Sequence, residues 1–95
     1  MRTLLLEGEH WRTRDDFYDV FFAAVGAPAW HGRNFDALRD SIGMGDINQI
    51  EIPYEIHITG LSPMSPEARQ VVQAFRDLID NLKAEGAAVA IQLFE

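Results

Sequence analysis

Tyr54-Glu55-Ile56-His57-Ile58-Thr59 alternates apolar and polar side chains and is rich in β formers, so residues 54–59 are expected to form a strand with one buried face. Helical signals lie on both sides of it. Downstream, Gly60 to Pro63 reads as a loop. Ser65-Pro66-Glu67 then opens a helix, with Ser65 as N-cap and Pro66 in the first helical position. Val71, Ala74, Phe75, Leu78, Ile79 and Leu82 carry its apolar stripe until Gly86 closes it. Ala88 to Phe94 follows as a strand, with Val89, Ile91 and Leu93 facing one way and Ala90, Gln92 and Phe94 the other.

Upstream, a short extra turn or helix is expected at Ile50 to Ile52, just before Pro53. Gly43 to Asn48 reads as a glycine-containing loop. Before it, Phe35, Leu38 and Ile42 fall at i, i+3 and i+7, one face of a short helix capped by Asn34 and stopped at Gly43. A further helix begins at the N-cap Thr13, with Asp15 and Asp16 in its first turn. Phe17, Val20, Phe21 and Ala24 give its core stripe, which Phe22 and Val25 widen, and Gly26 and Pro28 end it. Arg2 to Leu6 reads as the first strand. The order is strand, helix, helix, strand, helix, strand. Strands joined by helical crossovers pair in parallel. The expected fold is therefore α/β: one domain over residues 1–95, a small three-stranded parallel sheet with helices packed on it.

Composition removes several classes of function. The chain has no cysteine, which excludes disulfides and thiolate metal sites and fits a reducing compartment. Leu4-Leu5-Leu6 is too short for a signal peptide, and no stretch approaches the ~18 apolar residues of a membrane span. A cytoplasmic protein without membrane contact is expected. The net charge of −7 argues against direct nucleic-acid binding, which needs a basic patch, and fits either a basic partner or nothing more than solubility. His10, His31 and His57 show no metal-pair spacing. Asp46-x-Asn48 starts like a calcium loop but lacks its later glycine and glutamate. The serines have no nucleophile-elbow context, and Gly43-x-Gly45 has no third glycine or following lysine. No cofactor and no enzymatic activity are expected.

Binding remains, and it centres on Pro28 to Ile42. Asp36 and Asp40 stand at i, i+4, one above the other, on a different helix face from Phe35, Leu38 and Ile42. Like charges at that spacing destabilise a helix by about 0.2–0.5 kcal/mol, so folding alone does not favour them. Trp30 stands just ahead in a loop after a proline. The plain structural alternative is a solvated acidic face with Trp30 plugging one end of the core. The functional alternative is a binding surface made of an aromatic beside stacked carboxylates.

The motif carries a resemblance. Pro28, Trp30, His31, Gly32, Asn34, Phe35, Asp36, Ala37, Leu38 and Asp40 resemble the second helix and preceding loop of the barstar family of ribonuclease inhibitors. Glu7-Gly8-Glu9 after the first strand, Phe75-Arg76-Asp77 and Lys83-Ala84-Glu85-Gly86 extend the resemblance over most of the chain. It implies a barstar-like fold and a stoichiometric inhibitor of a basic ribonuclease or ribonuclease-like toxin, monomeric when free and acting inside the producing cell. It further implies that Trp30 is the inhibitory aromatic and that Gly32 and Asn34 occupy the loop and the cap. Asp36 would be the first acidic contact and Asp40 the central phosphate mimic. His31 lies inside the motif and is expected among the partner-binding residues. Arg39 departs from the family, which often has tryptophan there, and brings positive charge next to Asp40. A later acid in the long helix is also expected at the interface, either Asp77 or Asp80. The alternative is an interaction or regulatory module of the same fold that binds a non-nuclease protein.

Overall fold

The computed structural model describes residues 1–95. Three strands, β1 (Arg2–Glu7), β2 (Tyr54–Thr59) and β3 (Val89–Leu93), form one sheet in the order β1-β2-β3, and both pairings are parallel. Three helices connect them: α1 (Arg14–Val25) and α2 (Phe35–Gly43) between β1 and β2, and α3 (Pro66–Ala84) between β2 and β3. The α/β sheet anticipated from the sequence is thus the fold observed.

The alternation of residues 54–59 has the expected consequence. Tyr54, Ile56 and Ile58 are buried together with Leu4, Leu6 and Val89, while Leu5 and Glu7 on the opposite face of the sheet are exposed. One face of the sheet is covered and the other is open. This is unusual for parallel strands, which normally read as continuous apolar runs because both faces are buried. On the open face Glu55 Oε2 accepts from Gln92 Nε2 at 2.7 Å and lies 3.3 Å from His57 Nε2, without hydrogen-bond alignment to the imidazole.

The covered face meets an aromatic core. Phe17 and Phe21 of α1 lie 4.8 and 5.1 Å from the ring of Phe75 of α3, and all three are fully buried. Burying each such ring contributes about 1.5–3 kcal/mol. The buried stripe of α3 runs Ala68, Val72, Phe75, Leu78, Ile79 and Leu82, so Val72 takes the core place expected for Val71. In α1 the fully buried residues are Phe17, Tyr18, Phe21 and Val25, with Val20 and Ala24 at the margin. The long crossover helix α3 touches α1, α2 and β3, whereas α2 packs on α3 and leaves its outer face free.

The caps follow the sequence signals. Thr13 Oγ1 accepts from Asp16 N, and the Asp16 carboxylate accepts from Thr13 N in return, a capping box. Gly26 ends α1 at φ 66°, a left-handed conformation that favours glycine. The extra turn expected at residues 50–52 does not form. The N–H groups of Gln49 and Ile50 donate instead to Gly26 O and Val25 O, which ties this segment to the end of α1. These two backbone donors are thus used across the fold and not in a local turn.

Candidate functional site

The stretch from Pro28 to Met44 forms one end of the outer surface. His31 N donates to Pro28 O at 3.0 Å and closes a turn that carries Trp30 at its tip. Trp30 is 74 % exposed, so it plugs nothing in the core. The turn beneath it is held on three sides. Arg14 donates to Arg33 O at 2.8 Å. The guanidinium of Arg33 binds the Asp15 and Asp19 carboxylates of α1, and the Asp19 hydrogen bond raises its pKa above the usual arginine value. His31 is buried against Phe22, with ring centroids 4.5 Å apart.

Both ring nitrogens of His31 are bonded. Nδ1 is 2.8 Å from Gly32 O, and Nε2 is 2.9 Å from Ser41 Oγ. A carbonyl only accepts, so Nδ1 donates to Gly32 O, while Nε2 pairs with the Ser41 hydroxyl, which also lies 3.3 Å from Leu38 O. Ser41 is fully buried on α2. This bond ties the Trp30 loop to the second turn of the acidic helix. Sequence inspection did not single Ser41 out for this role. It lies ten residues from His31, and no helical or strand period links them.

Asn34 caps α2, its Oδ1 accepting from Ala37 N at 2.8 Å. Gly32 packs close beside it: a Cβ there would sit 2.9 Å from Asn34 Nδ2, and the capping side chain would have to shift. Leu38 and Ile42 are buried while Asp36 and Asp40 are exposed, so the two helix faces separate as the spacing predicts. Trp30, Ala37, Asp40 and Ile47 line one concavity of about 160 Å³, with His31 and Gly32 beneath. On the other side of Asp40, a groove of about 480 Å³ is lined by Arg39, Gly43, Met44, Leu82 and Glu85. Met44 is 82 % exposed. Asp40 therefore stands between two notches, each rimmed by an exposed apolar side chain.

The Arg39 guanidinium is paired with Glu85. Its Nη1 lies 3.1 and 3.2 Å from the two carboxylate oxygens of Glu85 at the end of α3. Asp77 and Asp80 are both exposed on α3. Gln70 and Ala74 line a third groove, of about 320 Å³, with Asn34 and Phe35 at the start of α2. Asp77 continues that helix strip, three residues after Ala74 and seven after Gln70, whereas Asp80 lies round the helix on the strip of Arg76. By helix geometry Asp77 lies nearer than Asp80 to the strip of α3 that lines this groove. In that third groove burial raises the Tyr18 pKa, against the opposing charges of Arg14 and Arg33.

No group of three or more His, Asp or Glu side chains could hold a metal ion, and no helix is long and apolar enough to cross a membrane. No curated protein matches the chain. The family model described as Barstar (barnase inhibitor) matches residues 1–94. Sheet order, capped acidic helix and matched length together lead to one conclusion: this chain belongs to the Barstar family.

Proposed function

We propose that this protein is a cytoplasmic inhibitor of a basic ribonuclease, or of a ribonuclease-like toxin, and that it works by stoichiometric occlusion rather than catalysis. The observation that carries the reading is the shared concavity of Trp30 and Asp40, with the aromatic held out in solvent on a braced turn. A ribonuclease must line its active site with cations to hold phosphates. Carboxylates at Asp40 and Asp36 take the phosphate positions, and Trp30 displaces water beside them. A braced turn loses little conformational freedom on binding, which favours affinity. Asp77 adds a charge at the edge of the same surface.

The test is a titration of basic bacterial ribonucleases with the wild type and with Asp40→Ala. Inhibition at one-to-one stoichiometry that is lost in Asp40→Ala supports the reading. A wild type that inhibits none of them contradicts it. Capture of a non-nuclease protein through the same α2 face would replace it with the interaction-module reading.

A further inference from the structure

We propose that Glu85 is a positioning residue for partner recognition: it holds the Arg39 guanidinium away from Asp36 and Asp40 and so leaves the acidic face of α2 uncompensated. Its functional meaning rests on the inhibitor reading above. The ion pair itself belongs to the free protein.

Arg39 is the one basic residue within α2, and it stands next to Asp40 in sequence. An uncommitted guanidinium there finds Asp36 three residues back on the helix surface and Asp40 beside it in the same groove. Either contact would cancel a charge that recognition needs. The structure shows a different partner. Glu85, the C-cap residue of α3, presents both carboxylate oxygens to Arg39 Nη1 across the interhelical groove. The side chains are 39 % and 61 % exposed, and pairs in that setting add little to folding. Stability is therefore a weak reason for the contact.

Charge placement is a stronger reason. With Arg39 and Glu85 neutralising each other, Asp36 and Asp40 keep two negative charges for a partner. Without Glu85 the guanidinium is free to cover one of them. The pair also sets the shape of the site. It spans the groove lined by Gly43, Met44 and Leu82, so the notch beside Asp40 stays open instead of being filled by a collapsed arginine.

The test is a double-mutant cycle with Glu85→Gln, Arg39→Gln and both changes. It is read as the association rate with a basic ribonuclease that the wild type inhibits, at low ionic strength. Removing Glu85 also removes a charge from the whole molecule, and the Arg39→Gln background measures that contribution. Glu85→Gln should slow association about threefold when Arg39 is present and much less when it is absent. An equal effect in both backgrounds overturns the proposal. A second measurement needs no partner. In Glu85→Gln, the Arg39 Nε–Hε signal in a nitrogen-15 NMR spectrum should move when Asp36 and Asp40 are both replaced by Asn. In the wild-type background the same replacement should move it far less. Equal movement in the two backgrounds also overturns the proposal. If no ribonuclease binds the wild type, the inhibitor reading fails, and the NMR comparison still decides the role of Glu85.

Discussion

Trp30 is held in water by residues that are themselves buried. His31 sits under the turn and reaches Ser41, so an exposed aromatic is fixed by a polar contact in the interior. Replacing Ser41 with Ala leaves Nε2 of His31 buried without its hydrogen-bond partner, which costs about 1–3 kcal/mol. The urea midpoint of Ser41→Ala should fall accordingly. Trp30→Ala removes no buried contact of the free protein. It should leave the urea midpoint nearly unchanged and weaken partner binding by about 2 kcal/mol or more. A Trp30→Ala variant that unfolds earlier but binds normally would reverse these roles. The sequence motif marked both Trp30 and His31, but only the folded chain shows that one faces solvent and the other faces Ser41.

The helix termini explain how the elements hold their positions, and they make stability depend on pH. The Asp16 carboxylate accepts from Arg12 N at 2.7 Å and Thr13 N at 3.1 Å, and these bonds hold its pKa below the ordinary 3.8. Glu55 in β2 is likewise held low, first by Gln92 and then by His57. For both groups the folded pKa lies below the unfolded one. The stability they add is present above the unfolded value and is lost as pH falls through the folded value. The urea midpoint should therefore drop on acidification below about pH 4.5, and should drop less in Asp16→Asn and Glu55→Gln. A wild-type profile no steeper than those of the variants would contradict this. Element boundaries were legible because Thr13, Asn34, Ser65-Pro66 and Gly26 act locally, within one turn of the chain. Residues 50–52 were misread for the opposite reason: the backbone donors where the segment starts, Gln49 N and Ile50 N, go to the end of α1, more than twenty residues away. The Arg39–Glu85 pair spans 46 residues and is equally invisible to local spacing.

At the scale of the whole molecule, a charge of −7 is carried on a body only 95 residues long, and α2 is placed where its acids face outward. The core that supports this face is shared: Phe75 of α3 meets two rings of α1, while Leu82 lies within reach of Gly43 at the end of α2. Phe75→Ala should cost about 3–5 kcal/mol of stability in urea unfolding. It should weaken inhibition only through the fraction of protein that unfolds. Association with the partner should slow steeply as ionic strength rises from about 0.01 to 0.15 M, where the screening length falls from about 30 to 8 Å. A salt-independent association rate would speak against carboxylates as phosphate mimics. The most direct measurement is ribonuclease activity titrated with wild type and Asp40→Ala under one set of conditions. The account predicts an end point at one inhibitor per enzyme for the wild type, and binding weaker by about 2–5 kcal/mol for Asp40→Ala with the fold intact. Equal inhibition by the two proteins would contradict it.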